Sequence, residues 1–126
     1  MAPPVPRSRK ARAADPPVVD LAQARDARRL RDIQARCRAV DEVNRKSLGR
    51  LFQSGLVYTR QGARLGRDLL LAHQHLLRVS DLLARITELP DDADAGEATA
   101  LYDEAQALLA RTVELTARSG LVLARV

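Results

Sequence analysis

Leucine and alanine recur at intervals of three and four residues over most of the chain, the spacing of one helical face rather than the alternation of a strand. The repeat predicts an all-α protein, an antiparallel bundle of about three helices with coiled-coil-like seams. The first helix is expected over about 20–53, from Leu21 to Phe52, with Asp20 as its N-cap. Leu30, Ile33, Cys37, Val40, Asn44, Ser47 and Leu51 fall on one line of it. This is an a/d heptad pattern with a polar Asn44 at one a site, where an asparagine fixes register and oligomeric state. Leu30, Ile33, Cys37, Val40, Asn44 and Leu51 are therefore the candidate seam for a partner helix or a second copy, with Asn44 turned to solvent as the alternative.

The second helix, about 58–89, has the most regular pattern. Leu65, Leu69, Ala72, Leu76, Val79, Leu83 and Ile86 hold the heptad, while Leu70, Leu77 and Leu82 widen the stripe. A stripe this broad meets more than one neighbour and places the helix at the centre of the bundle. Between helices one and two, Gly49, Gly55, Gly62 and Gly66 permit two readings. One is a turn at Ser54–Gly55. The other is one long helix with a four-residue stutter, its seam glycines marking close approach. The turn is expected, because each interior glycine costs about 1 kcal/mol relative to alanine. Pro90–Gly96 reads as a short polar connector to an antiparallel neighbour.

The third helix is expected over about 97–118, with Ala98, Leu101, Ala105, Leu108, Leu109, Val113 and Leu115 inward. Arg118 and Gly120 form a stop signal, after which the apolar terminus is expected to fold back on the bundle. Ser54-Gly55-Leu56-Val57 recurs as Ser119-Gly120-Leu121-Val122, which reads as two helix ends sharing one stop chemistry.

Residues 1–17 hold five prolines and little apolar bulk, the composition of a disordered basic tail ahead of a single helical domain over 18–126. Composition agrees with the helical reading: 21 alanines and 20 leucines stand against one Phe, two Tyr and no Trp. One cysteine excludes a disulfide framework. No stretch approaches the twenty apolar residues of a membrane span, and the start lacks the apolar core of a secretory signal. A cytoplasmic protein is expected.

The net charge of +5 is unevenly placed: residues 1–67 hold 16 basic and 6 acidic groups, residues 68–126 hold 5 and 10. Codon bias can inflate arginine everywhere, but it does not crowd arginine into one half. Such a chain suits an anionic partner or contact between copies. Arg7, Arg9, Lys10 and Arg12 of the tail, with Arg28, Arg29, Arg31, Arg36, Arg38 and Arg45 of helix one, are the candidate phosphate contacts. The planar arginine fork binds phosphate bidentately. Their alternative use is pairing with acids of a neighbouring helix.

No catalytic constellation emerges. His73 and His75 are two apart and diverge on a helix, which argues against a shared metal. Cys37 reads as a small core residue. Asp41–Glu42, Asp91–Asp92 and Asp103–Glu104 read as solvated helix faces. No phosphate-binding loop, dinucleotide fingerprint or HExxH motif is present. The expectation is a non-enzymatic, self-associating helical scaffold or adaptor without cofactor, metal or small-molecule substrate. A nucleic-acid-binding protein of the nucleoid-associated type is the alternative.

Overall fold

The computed structural model describes residues 17–125; the tail expected over 1–17 lies outside the described residues except for Pro17, which is helical. The fold is a small antiparallel bundle of three helices, α1 (Pro17–Gln53), α2 (Arg60–Glu88) and α3 (Ala95–Ala124), with one 3₁₀ turn (Leu56–Tyr58) between α1 and α2. Among the described residues there is no strand. The chain divides into two compact units, 1–32 and 33–126. In the first, residues 17–32 are helical, and of those whose burial is described Leu21, residues 24–28, Arg31 and Asp32 are exposed. The bundle is the second.

α1 begins at Pro17, so Asp20 lies inside the helix and not at its cap. Proline suits a first turn because its φ is fixed at a helical value and the amide it lacks would have no partner there. α1 stops at Gly55, whose φ of 77° is open to glycine and strained for other residues. The Ser54 hydroxyl donates to the Leu51 carbonyl at 3.2 Å and accepts from the Leu56 amide at 3.3 Å, closing the turn. Thr59 then caps α2: its Oγ1 accepts from the Gly62 amide at 2.9 Å and donates to the Leu56 carbonyl at 2.7 Å. The Ser54–Gly55 turn is thus present, and the single-helix alternative is not.

α2 ends at Leu89, held extended ahead of Pro90. Asp94 caps α3 by accepting from the Gly96 amide at 3.1 Å, and Glu97 lies in the first turn, where the helix dipole favours a negative charge. α3 departs from expectation at its other end. It passes through Gly120 and runs to Ala124, so the terminus neither stops nor folds back. Leu123 is buried with Leu51, Leu65 and Leu69, and Leu48, Leu56, Val57 and Val122 pack around them. That cluster joins the end of α1, the 3₁₀ turn, the start of α2 and the end of α3.

The predicted line of α2 is the core: Leu65, Leu69, Ala72, Leu76, Val79 and Leu83 are buried and Ile86 is half-buried, and of the flanking leucines Leu82 is buried too. Leu70 and Leu77 are instead exposed. α3 buries Leu101, Tyr102, Ala105, Leu109, Thr112, Thr116, Ser119 and Leu123, a line whose later half is mostly hydroxyl-bearing. Val113, expected inward, is on its edge at 37% exposed.

Candidate interaction surfaces

From Ile33 to Leu51 the α1 seam closes on the chain's own helices. Ile33, Asn44, Ser47 and Leu51 are buried, while Leu30, Cys37 and Val40 are half-buried. The Asn44 Nδ2 donates to the Leu69 carbonyl of α2 at 3.0 Å, a buried clamp between two helices. Its Oδ1 has no hydrogen-bond partner, and neither do the buried Thr116 Oγ1 and Ser119 Oγ of α3. Thr112 satisfies its hydroxyl locally, donating to the Leu108 carbonyl at 2.8 Å. Asn44 therefore does not face water, and Ile33, Asn44 and Leu51 are not open to a partner.

The arginines remain outside. Arg28, Arg31, Arg36, Arg38 and Arg45 are exposed, and Arg29 is half-buried. Arg45 pairs with Asp41 at 3.0 Å and Lys46 with Glu42 at 3.8 Å, both between neighbouring turns of α1. Such exposed pairs contribute a few tenths of a kcal/mol. Arg7, Arg9, Lys10 and Arg12 fall outside the described residues. Arg50 reaches the end of α3, its Nη2 3.5 Å from the Leu123 carbonyl.

Two of the residues tested for chemistry meet, His73 of α2 and Asp41 of α1. His73 Nδ1 lies 3.9 Å from Asp41, and His75 is half-buried elsewhere on α2. Among the described residues, no group of three or more His, Cys, Asp and Glu could hold a metal. Burial pushes the Cys37 thiol above its usual pKa, with Arg36 pulling more weakly the other way. Asp91, Asp92, Asp103 and Glu104 are exposed. Among the described residues, no helix is long and apolar enough to cross a membrane.

A surface groove of about 680 Å³ on α2 has a mixed lining of Arg64, Arg67, Asp68, Leu70, Leu71 and Gln74, and two smaller grooves are more apolar. A groove of about 340 Å³ between the end of α1 and the start of α2 is lined by Leu48, Leu51, Phe52, Val57, Ala63, Gly66, Arg67 and Leu70. A second, of about 230 Å³, runs between α1 and α3 over Ala39, Val40, Val43, Val113, Thr116 and Ala117. Phe52 is 62% exposed, Leu70 54% and Leu77 58%. The sequence placed Leu70 and Leu77 in the core, and only a count of available neighbours would have released them: three helices cannot cover both stripes of α2.

Fold and surface define a small helical bundle that exposes Phe52, Leu70 and Leu77 on α1 and α2. No known protein family, curated protein or solved structure matches this chain.

Proposed function

We propose that this protein is a non-enzymatic, cytoplasmic helical scaffold that works by associating with itself or with another helical protein. The observation that carries the reading is the exposure of Phe52, Leu70 and Leu77, three large apolar side chains on α1 and α2 that their own bundle leaves uncovered. Single exposed apolar residues are ordinary. Two of the three, Phe52 and Leu70, line one apolar groove, which is the mark of a partner surface. The non-enzymatic reading is supported by a sequence without a phosphate-binding loop, dinucleotide fingerprint or HExxH motif. Light scattering on the full chain across a dilution series tests it: the mass rises above the 13.9 kDa of one copy as concentration increases. A single-copy mass at every concentration, with no helical partner retained, overturns it.

A second reading has its own observation. Arg25, Arg28, Arg31, Arg36 and Arg38 are all exposed along α1, suited to a phosphate backbone. Duplex DNA binding measured against salt decides it. A logarithmic affinity that falls linearly with the logarithm of salt concentration supports binding, and no retention at low salt removes it.

A further inference from the structure

We infer that the outward face of α2 pairs antiparallel with the same face of a second copy, with Leu70 and Leu77 at the centre. This rests on the self-association proposed above and names its surface. Two lines run along α2 away from the core. Ala63, Leu70, Leu77 and Ala84 recur every seven residues, and so do Arg60, Arg67, Gln74, Asp81 and Glu88. Together they alternate by four and three, the spacing that keeps one stripe against a neighbouring helix. All nine are exposed. The core uses a different line, so burial inside this bundle does not account for the order of these residues.

The order selects the partner. The apolar line reads small, large, large, small, and is unchanged on reversal. The polar line reads positive, positive, neutral, negative, negative, and reversal exchanges its signs. Turned half a revolution about an axis near Gln74, a second α2 lays Leu70 beside the partner's Leu77. The same turn sets Arg60 and Arg67 opposite the partner's Glu88 and the partner's Asp81. A parallel pairing stacks arginine on arginine and acid on acid. Twofold pairing is isologous, so each favourable contact is made twice.

The flanks are compatible. Arg78 is drawn to Asp81 at 3.2 Å and sideways to Glu104 of α3 at 3.6 Å. These pairs are exposed and weak, and a carboxylate has a second oxygen for the partner's Arg67. Leu71, 42% exposed, and Phe52 border the leucines and widen the apolar area. Two central leucines per copy place the dimer among small, transient interfaces rather than permanent ones.

Sedimentation equilibrium on the full chain tests the surface through R67E, D81R and the double variant. Each single change sets like charges together at two places and weakens association by about tenfold, equivalent to about 1.4 kcal/mol; the double change reverses the pairs and restores it. In a Cys37→Ala background, Gln74→Cys forms a disulfide between copies under mild oxidation and Ala63→Cys does not, because the axis brings only position 74 to its own counterpart. Circular dichroism confirms that every variant keeps its helices. Association unchanged in both single variants, or cross-linking through position 63 as readily as through 74, overturns the α2 pairing. The scaffold reading survives that result if the wild-type mass still exceeds one copy, whereas a monomer throughout removes both.

Discussion

Gly62 is buried where α2 starts under the 3₁₀ turn, and a methyl group there would run into the Leu56 carbonyl. That carbonyl cannot yield easily, since it already accepts from Thr59. Gly62→Ala is therefore expected to cost about 1–3 kcal/mol, the range for overpacking, and to lower the melting temperature by several degrees. Asn44 has the opposite expectation. It makes one buried hydrogen bond to the Leu69 carbonyl and leaves its own oxygen without a partner. A buried acceptor without a partner costs about as much as such a bond contributes. Asn44→Leu should raise the unfolding midpoint in urea, and a fall of more than about 1 kcal/mol would mean the clamp dominates. Cys37 adds a pH-dependent contribution. Its folded pKa lies above the ordinary 9.0, so the unfolded thiol loses its proton first. Its share of stability is complete below that value and is lost as pH rises through the folded pKa. The wild type should lose stability in that range relative to Cys37→Ala, and Cys37 should alkylate more slowly in the folded than in the unfolded chain.

Two identical tetrapeptides behave differently at the scale of elements, and the energies say why. Gly55 ends α1 in a left-handed turn, whereas Gly120 sits within α3. Continuing a helix through glycine costs about 1 kcal/mol, while burying a leucine contributes about 1.5–3 kcal/mol. Beyond Gly120 the extra turn buries Leu123 against Leu51, Leu65 and Leu69, so α3 continues. Alanine should then act with opposite signs at the two sites. Gly55→Ala is expected to destabilise by about 1–2 kcal/mol, and Gly120→Ala, with no atom within 4 Å of the new methyl, to stabilise by about 0.5–1 kcal/mol. Urea denaturation of both variants checks this, and equal signs would contradict it. The same comparison shows what the sequence could reveal. The core line of α2 was legible because burial follows its heptad from Leu65 to Leu83. The inward Thr112, Thr116 and Ser119 were not, since their polarity hides the helical period that places them. The end of α3 was not either, because a local stop signal is weaker than a burial that depends on distant residues. Of the candidate surface, the exposed arginines were legible, but the outward turn of Leu70 and Leu77 depends on how many neighbours α2 has.

Charge is sorted along the bundle of residues 33–126 as a whole. Arg50, Arg60, Arg64 and Arg67 gather around the α1–α2 turn, while Glu88, Asp91, Asp92, Asp94 and Glu97 surround the α2–α3 connection. Pairing through exposed charges is sensitive to salt: the screening length falls from about 10 Å at 0.1 M to about 3 Å at 1 M. The mass at fixed protein concentration should therefore decline as salt is added, and a mass that rises would mean that apolar contact alone drives association. The three helices also differ in what holds them. Among the described residues, α1 gives the core Ile33 and Leu51 as fully buried large apolar side chains, with Asn44 and Ser47 as its other buried positions. α2 and α3 share a far more apolar boundary. Within the bundle of residues 33–126, the weakest junction is accordingly the one residues 33–53 of α1 make. Native-state hydrogen exchange should find the amides of 33–53 opening together at lower free energy than those of α2, so that a protease sampling rare excursions would nick the first helix while the remaining hairpin is still intact.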